Sequence, residues 1–424
     1  MADNDLSIFQ NIGLSDIDTS GQTSTVGEPS VANNGREIFV TGNWYATRSL
    51  DNGGSWEFLS PYNTLPSVDG GFCCDQTVLY DPSRNLLFWL LQYVKQNNTN
   101  TLRVAVKSGS AAGNNNWYWW DFQPTSVNAA WSNEWFDYNH AALSNNYLYV
   151  ASNVFRTTDD MWTRSVVLRL PLDALANGTA LNYNYFQSTE NFSLRCVQGA
   201  RDVMYFGGHN NQSPIRLYSW PENNTRVSQQ DVNISRWNDG QYSAPSSDGK
   251  NWLGRCDGRM TGGWVGNGTI GFAWSANRID TSRPLPYVKV VRLNEQSKAV
   301  IDEPDIWNPN FGYAYPDISP NDRGDVGISL FRGGGSFFPS HVIGVWDDAS
   351  RQWKLQIAKS GTNSPTDGKW GDYLGCRRHA PNGLTWLAAG YTLQGGGDRS
   401  NIEPRVVHFG FERDRGAALR WQNA

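Results

Sequence analysis

One apolar segment recurs seven times along the chain, and this internal repeat constrains the fold more than any other feature. Each copy follows a polar or glycine-containing turn and is rich in β-branched and aromatic residues, as β-strands are. The copies occupy residues 36–40, 85–89, 146–150, 202–206, 268–272, 325–329 and 383–387. Their spacing of roughly 50–65 residues is the size of one four-stranded blade with long loops. The repeat therefore predicts an all-β, seven-bladed β-propeller of four-stranded antiparallel blades.

A second set of apolar segments follows most copies and fits the next strand of each blade. These segments lie at residues 102–106, 165–169, 215–218, 288–292, 341–345 and 405–409. Little chain remains after the last one, so we expect an N-terminal strand at residues 6–9 to complete the final blade and close the ring, which removes exposed sheet edges. We expect a single domain over residues 1–424. A six-bladed ring with an irregular insertion is the alternative, whereas a jelly roll or a sandwich needs no seven-fold repeat.

A short hairpin turn carries the pattern Ser49-x-Asp51-x-Gly53-x-x-Trp56. Ser and Asp side chains bond nearby backbone N–H groups in such turns, and Gly53 permits a positive φ. The pattern resembles the Asp-box of sialidase-like β-propellers, in which the box joins the third and fourth strands of a blade at the rim, away from the active site. The resemblance implies a fold and leaves the activity open.

Three further segments extend the resemblance to an uncharacterised secreted branch of the sialidase-like superfamily. They are Phe72-Cys73-Cys74-Asp75-Gln76, Tyr313-Ala314-Tyr315-Pro316 and Trp370-Gly371-Asp372-Tyr373. A true sialidase also carries an Arg-Ile-Pro segment and three arginines that bind the substrate carboxylate. The chain has no Arg-Ile-Pro segment. We therefore do not expect sialidase activity.

Composition and short sequence signals indicate which classes of partner to expect and in which compartment the protein functions. The net charge is -5 with a pI of about 5.6, and no Lys/Arg run is present, so we expect no nucleic-acid partner. No apolar run reaches the roughly 18–20 residues of a membrane span. The first five residues lack the features of a signal peptide. We nevertheless expect a secreted, monomeric glycoprotein whose leader is missing; a cytosolic Asn-rich protein is the alternative. Glycosylation sequons occur at Asn97, Asn177, Asn191, Asn211, Asn223, Asn233 and Asn267.

The five cysteines cannot all pair with one another. Cys73 and Cys74 are adjacent and leave two alternatives open: reduced residues on the two faces of a strand, or a vicinal disulfide that forms a rigid apolar platform. Secretion and a position at a pocket would favour the disulfide. Cys196, Cys256 and Cys376 each fall early in a predicted blade, where small buried residues are expected.

Carboxylates precede most of the repeat copies, where the innermost strand of each blade begins. Ligands of propellers usually bind at this mouth of the central channel. Six of the seven segments hold a carboxylate and the fourth holds Arg195 instead. The carboxylates are Glu28, Asp75, Asp137, Asp257, Asp317 and Asp372.

Three interpretations of these carboxylates remain open. Each carboxylate could accept backbone N–H bonds and lock the ring. Alternatively, neighbouring carboxylates acquire different pKa values and serve as acid and base or nucleophile. Finally, carboxylate and carbonyl oxygens suit a cation, and calcium is the candidate cofactor, although no metal ligand set can be assigned. The predicted catalytic residues are Asp75, Asp137, Tyr138, His140, Asp257, Asp317, Asp372 and Tyr373.

Aromatic residues at the same strand starts favour an oligo- or polysaccharide ligand, because sugar C–H faces stack on aromatic rings; packing between blades is the alternative. The predicted substrate-binding residues are Glu28, Trp135, Arg195, Arg259, Tyr315 and Trp370. A glycoside hydrolase needs two carboxylates flanking the sugar. A polysaccharide lyase needs a Tyr or His base, for which His140 beside Tyr138 is suitable. A non-catalytic, lectin-like propeller is the alternative to both, but the unequal segments favour one asymmetric central site.

Overall fold

The structure is a computed structural model that describes residues 5–109 and 116–422. Residues 1–4 lie outside this part. The chain forms seven four-stranded antiparallel sheets, which confirms the predicted seven-bladed propeller.

The first four blades follow one another along the chain, each from its innermost to its outermost strand. Blade 1 contains β2 (Ser30–Asn34), β3 (Glu37–Thr41), β4 (Ala46–Ser49) and β5 (Glu57–Leu59). Blade 2 contains β6 (Phe72–Asp81), β7 (Leu86–Tyr93), β8 (Leu102–Ser108) and β9 (Tyr118–Phe122). Blade 3 contains β10 (Glu134–Leu143), β11 (Tyr147–Arg156), β12 (Trp162–Pro171) and β13 (Asn184–Ser188). Blade 4 contains β14 (Arg195–Cys196), β15 (Val203–His209), β16 (Pro214–Pro221) and β17 (Ser228–Asn233).

The last three blades complete the ring. Blade 5 contains β18 (Met260–Gly266), β19 (Thr269–Ala276), β20 (Tyr287–Asn294) and β21 (Val300–Asp302). Blade 6 contains β22 (Gly312–Pro320), β23 (Val326–Gly334), β24 (Phe337–Asp347) and β25 (Gln352–Lys359). Blade 7 contains β26 (Gly375–Arg378), β27 (Trp386–Leu393), β28 (Ile402–Phe411) and the N-terminal β1 (Leu6–Gly13).

The repeat copies are the second strands of the seven blades, and the second set of segments forms third strands. β1 pairs antiparallel with β28, so the N-terminal strand completes blade 7 as predicted. β1 runs beyond the four residues that the sequence pattern indicated. Consecutive innermost strands contact each other around the whole ring, from β2 through β26 and back to β2.

Helices are few and short in the described residues. They are α1 (Asp16–Thr19), α2 (Pro124–Val127), α3 (Leu172–Ala176) and α4 (Arg415–Gln422). Two 3-10 turns lie at Arg399–Asn401 and Glu412–Asp414. None of these helices is long and apolar enough to cross a membrane.

The core lies between the blades. Phe39 of blade 1 meets Trp89 of blade 2 edge-on, with ring centroids 5.3 Å apart. Trp386 of blade 7 packs so closely on blade 6 that a Cβ at Gly327 would lie 2.6 Å from its indole ring. Trp and Tyr side chains therefore fill the wedge between neighbouring sheets, which accounts for much of the aromatic content.

The Ser49–Trp56 turn joins β4 to β5, the third and fourth strands of blade 1. The Asp51 carboxylate accepts hydrogen bonds from the Ser55 backbone N–H (2.8 Å) and the Ser55 hydroxyl (2.7 Å). These bonds, together with one from Ser49, lower the pKa of Asp51 to about 2. Gly53 has a φ of +90°, which a side chain would strain.

Candidate active site

A cleft of about 710 Å³ opens at the end of the ring where the innermost strands begin. Glu28 precedes β2, Asp75 lies in β6, Asp137 lies in β10 and Asp372 precedes β26. All four side chains line the cleft. The structure thus brings together four of the six predicted carboxylates, from blades 1, 2, 3 and 7.

A bulge in β6 places Asp75. Phe72 pairs with Tyr93 and Gln76 pairs with Leu91, so residues 73–75 lie opposite Gln92 alone. Bulges redirect side chains and are frequent beside active sites. Within the bulge, Cys73 and Cys74 form a vicinal disulfide, and Cys74 lines the cleft next to Asp75. The disulfide alternative therefore describes this pair, whereas Cys196, Cys256 and Cys376 are buried free thiols.

A second bulge, in β10, places Asp137. Asp137 pairs with Asn153 and His140 pairs with Ala151, so residues 138–139 oppose one residue of β11. Tyr138, inside the bulge, has a φ of +58°, a strained conformation for an aromatic residue. The Gln92 amide donates a 2.9 Å hydrogen bond to Asp137 Oδ1. It also accepts one of 2.6 Å from Asn139, so a single side chain of blade 2 orients the bulge of blade 3.

Glu28 and Asp75 hold protons that exposed carboxylates would lose. Burial, followed by the charges of Asp137 and Asp372, raises the pKa of Asp75 to about 8. Burial also raises the pKa of Glu28 well above its ordinary value, and Asp75 and Asp372 raise it further. The two carboxyl groups share a hydrogen bond, which requires a proton between them. The Glu28–Asp75 pair therefore retains a proton at a pH where exposed carboxylates have lost theirs.

Asp137 and Asp372 have different neighbours. Burial raises the pKa of Asp137, while the bond from Gln92 opposes this rise. Asp372 forms ion pairs with two arginines, Arg255 Nη2 and Arg259 Nη2, each 3.2 Å from Oδ2. Its charge is therefore neutralised by two cations, whereas the hydrogen bond to Asp137 comes from an uncharged amide.

Asp257 and Asp317 are not among the cleft-lining residues. Asp257 lies at the surface and pairs with Arg259, with Nε 2.7 Å from Oδ2. Asp317 is fully buried between Arg195 Nη2 at 2.6 Å and Arg377 Nη1 at 2.5 Å, and it accepts the Cys376 N–H at 2.9 Å. Arg195 therefore joins blade 4 to blade 6 instead of facing the cleft.

Strand register explains why Asp317 and Asp137 differ. In β22, as in β10, two residues bulge near the start of the strand, but Asp317 follows the bulge and pairs directly with Ser329. Asp137 precedes its bulge. Asp317 and His140 are each the first paired residue after the bulge, so Asp317 occupies the strand position of His140 and not that of Asp137.

His140 is buried, and its Nε2 accepts the Cys196 N–H at 3.4 Å. Burial, with the charges of Arg195 and Arg377, lowers the pKa of His140 well below its ordinary value, so the ring is neutral. His140 does not line the cleft in the part of the chain that the structure describes.

The predicted tyrosines occupy different depths. Tyr138 lines the cleft beneath Arg259, whose guanidinium carbon lies 4.0 Å from the ring centroid. Tyr373 packs against Tyr138 with centroids 6.0 Å apart. Tyr315 is buried in the apolar cluster that also contains Trp252 and Phe331.

The two predicted tryptophans lie outside the cleft. Trp370 is fully buried, stacked on Tyr391 with centroids 4.8 Å apart. Trp135 lies on blade 3, where its indole N–H donates to Asp160 at 3.0 Å and Lys95 Nζ lies 4.9 Å from its ring. The tryptophan that lines the cleft is Trp44, which is half-buried.

Sequence analysis missed Trp44 and Arg255. Trp44 lies in the turn between β3 and β4, not before an innermost strand. A tryptophan in a tight hairpin at the mouth end is the signal that could have identified it. Arg255 stands four residues before Arg259 in the segment that leads into β18, and that spacing was the available signal.

No group of three or more His, Cys, Asp and Glu side chains in residues 5–109 and 116–422 is arranged to hold a metal ion. Calcium binding therefore stays a prediction from the sequence.

No protein-family model matches the sequence, and a search of curated proteins finds no match. Solved structures are similar to it in architecture. The GH93 α-L-arabinofuranosidase of Fusarium graminearum has a TM-score of 0.47 and 8% identity, covering 95% of this chain and 97% of that one. The Trypanosoma rangeli sialidase has a TM-score of 0.41 and 9% identity, covering 78% of this chain and 54% of that one.

Proteases also occur among the similar structures. The β-propeller domain of the Trilobed protease from Pyrococcus furiosus has a TM-score of 0.45 and 10% identity, covering 91% of this chain and 93% of that one. At these values the similarity says nothing about the chemistry of the cleft, which depends on its own residues.

Proposed function

We propose that the protein is a secreted glycoside hydrolase that cleaves a neutral oligo- or polysaccharide in this cleft. The observation that carries the proposal is that Asp75 and Asp137, carboxyl groups with different partners, line one cleft, where burial raises the pKa of Asp75 to about 8. Glycosidic bond cleavage requires two carboxyl groups in one cleft, one acting as an acid and the other as a base or nucleophile.

In this proposal Asp75 is the general acid. It donates its proton to the glycosidic oxygen as the C–O bond breaks. Asp137 is the second carboxylate, which attacks the anomeric carbon or activates a water. Asp372 is less suited to that role because Arg255 and Arg259 neutralise its charge. We assign Asp372 and its two arginines to binding sugar hydroxyl groups.

The lining of the cleft supports a sugar as the ligand. Trp44 offers an aromatic face for a sugar ring, and Ser24, Thr25 and Asn43 offer hydrogen-bonding groups. Six carboxyl groups and four basic side chains line the cleft, and because Glu28 and Asp75 hold protons, the opposite charges nearly balance, which suits a neutral sugar. A lyase is less well supported, because the neutral His140 lies outside the cleft lining in the described residues.

Secretion is supported by the vicinal disulfide, since disulfides persist in oxidising compartments. Intact-mass analysis after expression in a eukaryotic secreting host tests it. Glycans are expected on the exposed sequons but not on Asn191, which is fully buried, and a mass without any glycan contradicts secretion.

A polysaccharide panel tests the activity. The wild-type protein is assayed for new reducing ends and for ultraviolet absorbance, with and without calcium. Reducing ends without absorbance are expected. Absorbance from unsaturated uronic acids would replace the hydrolase by a lyase. Glycan binding without either signal would leave a lectin-like propeller.

The pH profile tests the role of Asp75. Because the pKa of Asp75 is about 8, kcat/KM should fall above about pH 8 as the acid loses its proton. A profile that falls above about pH 5 instead would contradict the assignment.

A further inference from the structure

We infer that the Cys73–Cys74 disulfide is a redox-sensitive positioning element that holds Asp75 in the cleft, so that opening it lowers the activity. This inference rests on the proposed function. Its geometric basis is the β6 bulge, in which the disulfide and Asp75 are three consecutive residues.

The bulge is firmly anchored on its C-terminal side. The Gln76 amide donates to the carbonyl oxygens of Gly42 at 2.6 Å and Tyr45 at 3.0 Å, and it accepts the Trp89 indole N–H at 2.8 Å. Gln76 is buried. Asp75 therefore lies between a fixed residue and the disulfide.

On the other side, residues 73–75 lie outside the regular ladder between β6 and β7. Phe72, which is buried, resumes the pairing with Tyr93. A three-residue bulge has many backbone conformations, and the covalent Cys73–Cys74 ring removes most of them. The direction of the Asp75 side chain depends on that restriction.

The disulfide has little to contribute to global stability. Disulfides stabilise proteins chiefly by closing long loops in the unfolded chain, and this one joins adjacent residues. The disulfide therefore acts on the local backbone conformation, and the residue that directly follows it is Asp75, a predicted catalytic residue.

A reductant can reach this disulfide. Cys73 and Cys74 are both half-exposed, and Cys74 lines the cleft, whereas the three free cysteines are buried. A dithiol transfers two electrons and two protons to the S–S bond, which becomes two thiols, and the dithiol becomes a cyclic disulfide. The Asp75 side chain can then rotate toward water and become solvent-exposed.

The test compares the wild-type protein before and after treatment with dithiothreitol, with opening of the disulfide verified by intact mass. The double variant C73S/C74S reproduces the open state. Opening is expected to lower kcat/KM at neutral pH by about 10²-fold, the cost of a misplaced catalytic group. The basic limb of the pH profile should move to lower pH, which loss of packing alone would not produce. The double variant should be insensitive to dithiothreitol.

A readout without substrate separates this inference from the proposed function. The melting temperature of the wild-type protein should fall between about pH 5 and pH 8, because Asp75 stays protonated in the fold. That dependence should weaken in C73S/C74S and after reduction. An unchanged pH dependence of the melting temperature in the double variant would overturn the inference, whether or not a glycan substrate has been found.

Discussion

Replacing Asp75 with asparagine should reduce the pH dependence of stability between about pH 5 and pH 8. The pKa of Asp75 rises from 3.8 to about 8 on folding, first through burial and then through Asp137 and Asp372. Between those values the folded protein holds a proton that the unfolded chain has released. Stability is therefore highest below the unfolded pKa and decreases as the pH rises toward the folded pKa, by about 1.4 kcal/mol per pH unit.

From about pH 5 to pH 8 this amounts to a loss of about 4 kcal/mol in the free energy of unfolding. With an unfolding entropy of about 2.1 cal/mol/K per residue, the 424-residue chain should lose about 4–5 °C in melting temperature. Asparagine does not titrate, so D75N should show a shallower profile across this range, with a remaining slope from Glu28 and Asp137, whose pKa values burial also raises. The difference between the wild-type and D75N slopes would then be the contribution of Asp75.

Differential scanning fluorimetry across the pH range gives the measurement. D173N is the matched control, because Asp173 is 79% exposed and its ion pair with Arg84 contributes little. D173N should follow the wild-type profile. Parallel profiles for D75N and the wild type would refute the conclusion that Asp75 is protonated at neutral pH.

Three further substitutions separate the scaffold from the cleft. D317N removes the charge between two buried arginines and should lower the free energy of unfolding by about 3–5 kcal/mol. D257N, at a more exposed ion pair, should lower it by less than about 1 kcal/mol. Equal losses for the two variants in urea unfolding would contradict the buried ion-pair role of Asp317. D51A removes the two hydrogen bonds from Ser55 and should lower stability by about 1–2 kcal/mol while leaving glycan turnover unchanged. Reduced turnover in well-folded D51A would show that this turn acts on the cleft.

The fold could be predicted from the sequence because its signals are local. Strand composition, turn residues and the spacing of copies repeat seven times, so an error in one blade is corrected by the other six. The N-terminal strand was predictable because a ring with an incomplete last blade leaves an exposed edge. The C-terminal α4 was not predicted, since eight residues give little helical periodicity.

The site was only partly predictable, because its membership depends on register. Asp137 and Asp317 occupy similar places in the sequence pattern, but one precedes its bulge and the other follows it. A shift of this kind moves a carboxylate from the cleft into the interior. Nothing in the local sequence reveals which side of a bulge a residue will occupy.

Trp44 was missed for a different reason, which is its position in the blade. Binding residues were sought before the innermost strands, and this side chain comes from a turn one strand further out. Its contribution depends on how blade 1 leans over the channel, which is a tertiary property.

Turnover by D137N on the first polysaccharide that the wild-type protein cleaves tests the central claim most directly. Asparagine keeps the size of the side chain and removes its ability to act as base or nucleophile. We predict a loss of at least about 10²-fold in kcat, with glycan affinity retained in a direct binding measurement. Wild-type turnover by D137N would contradict the assignment of Asp137 as the second catalytic carboxylate.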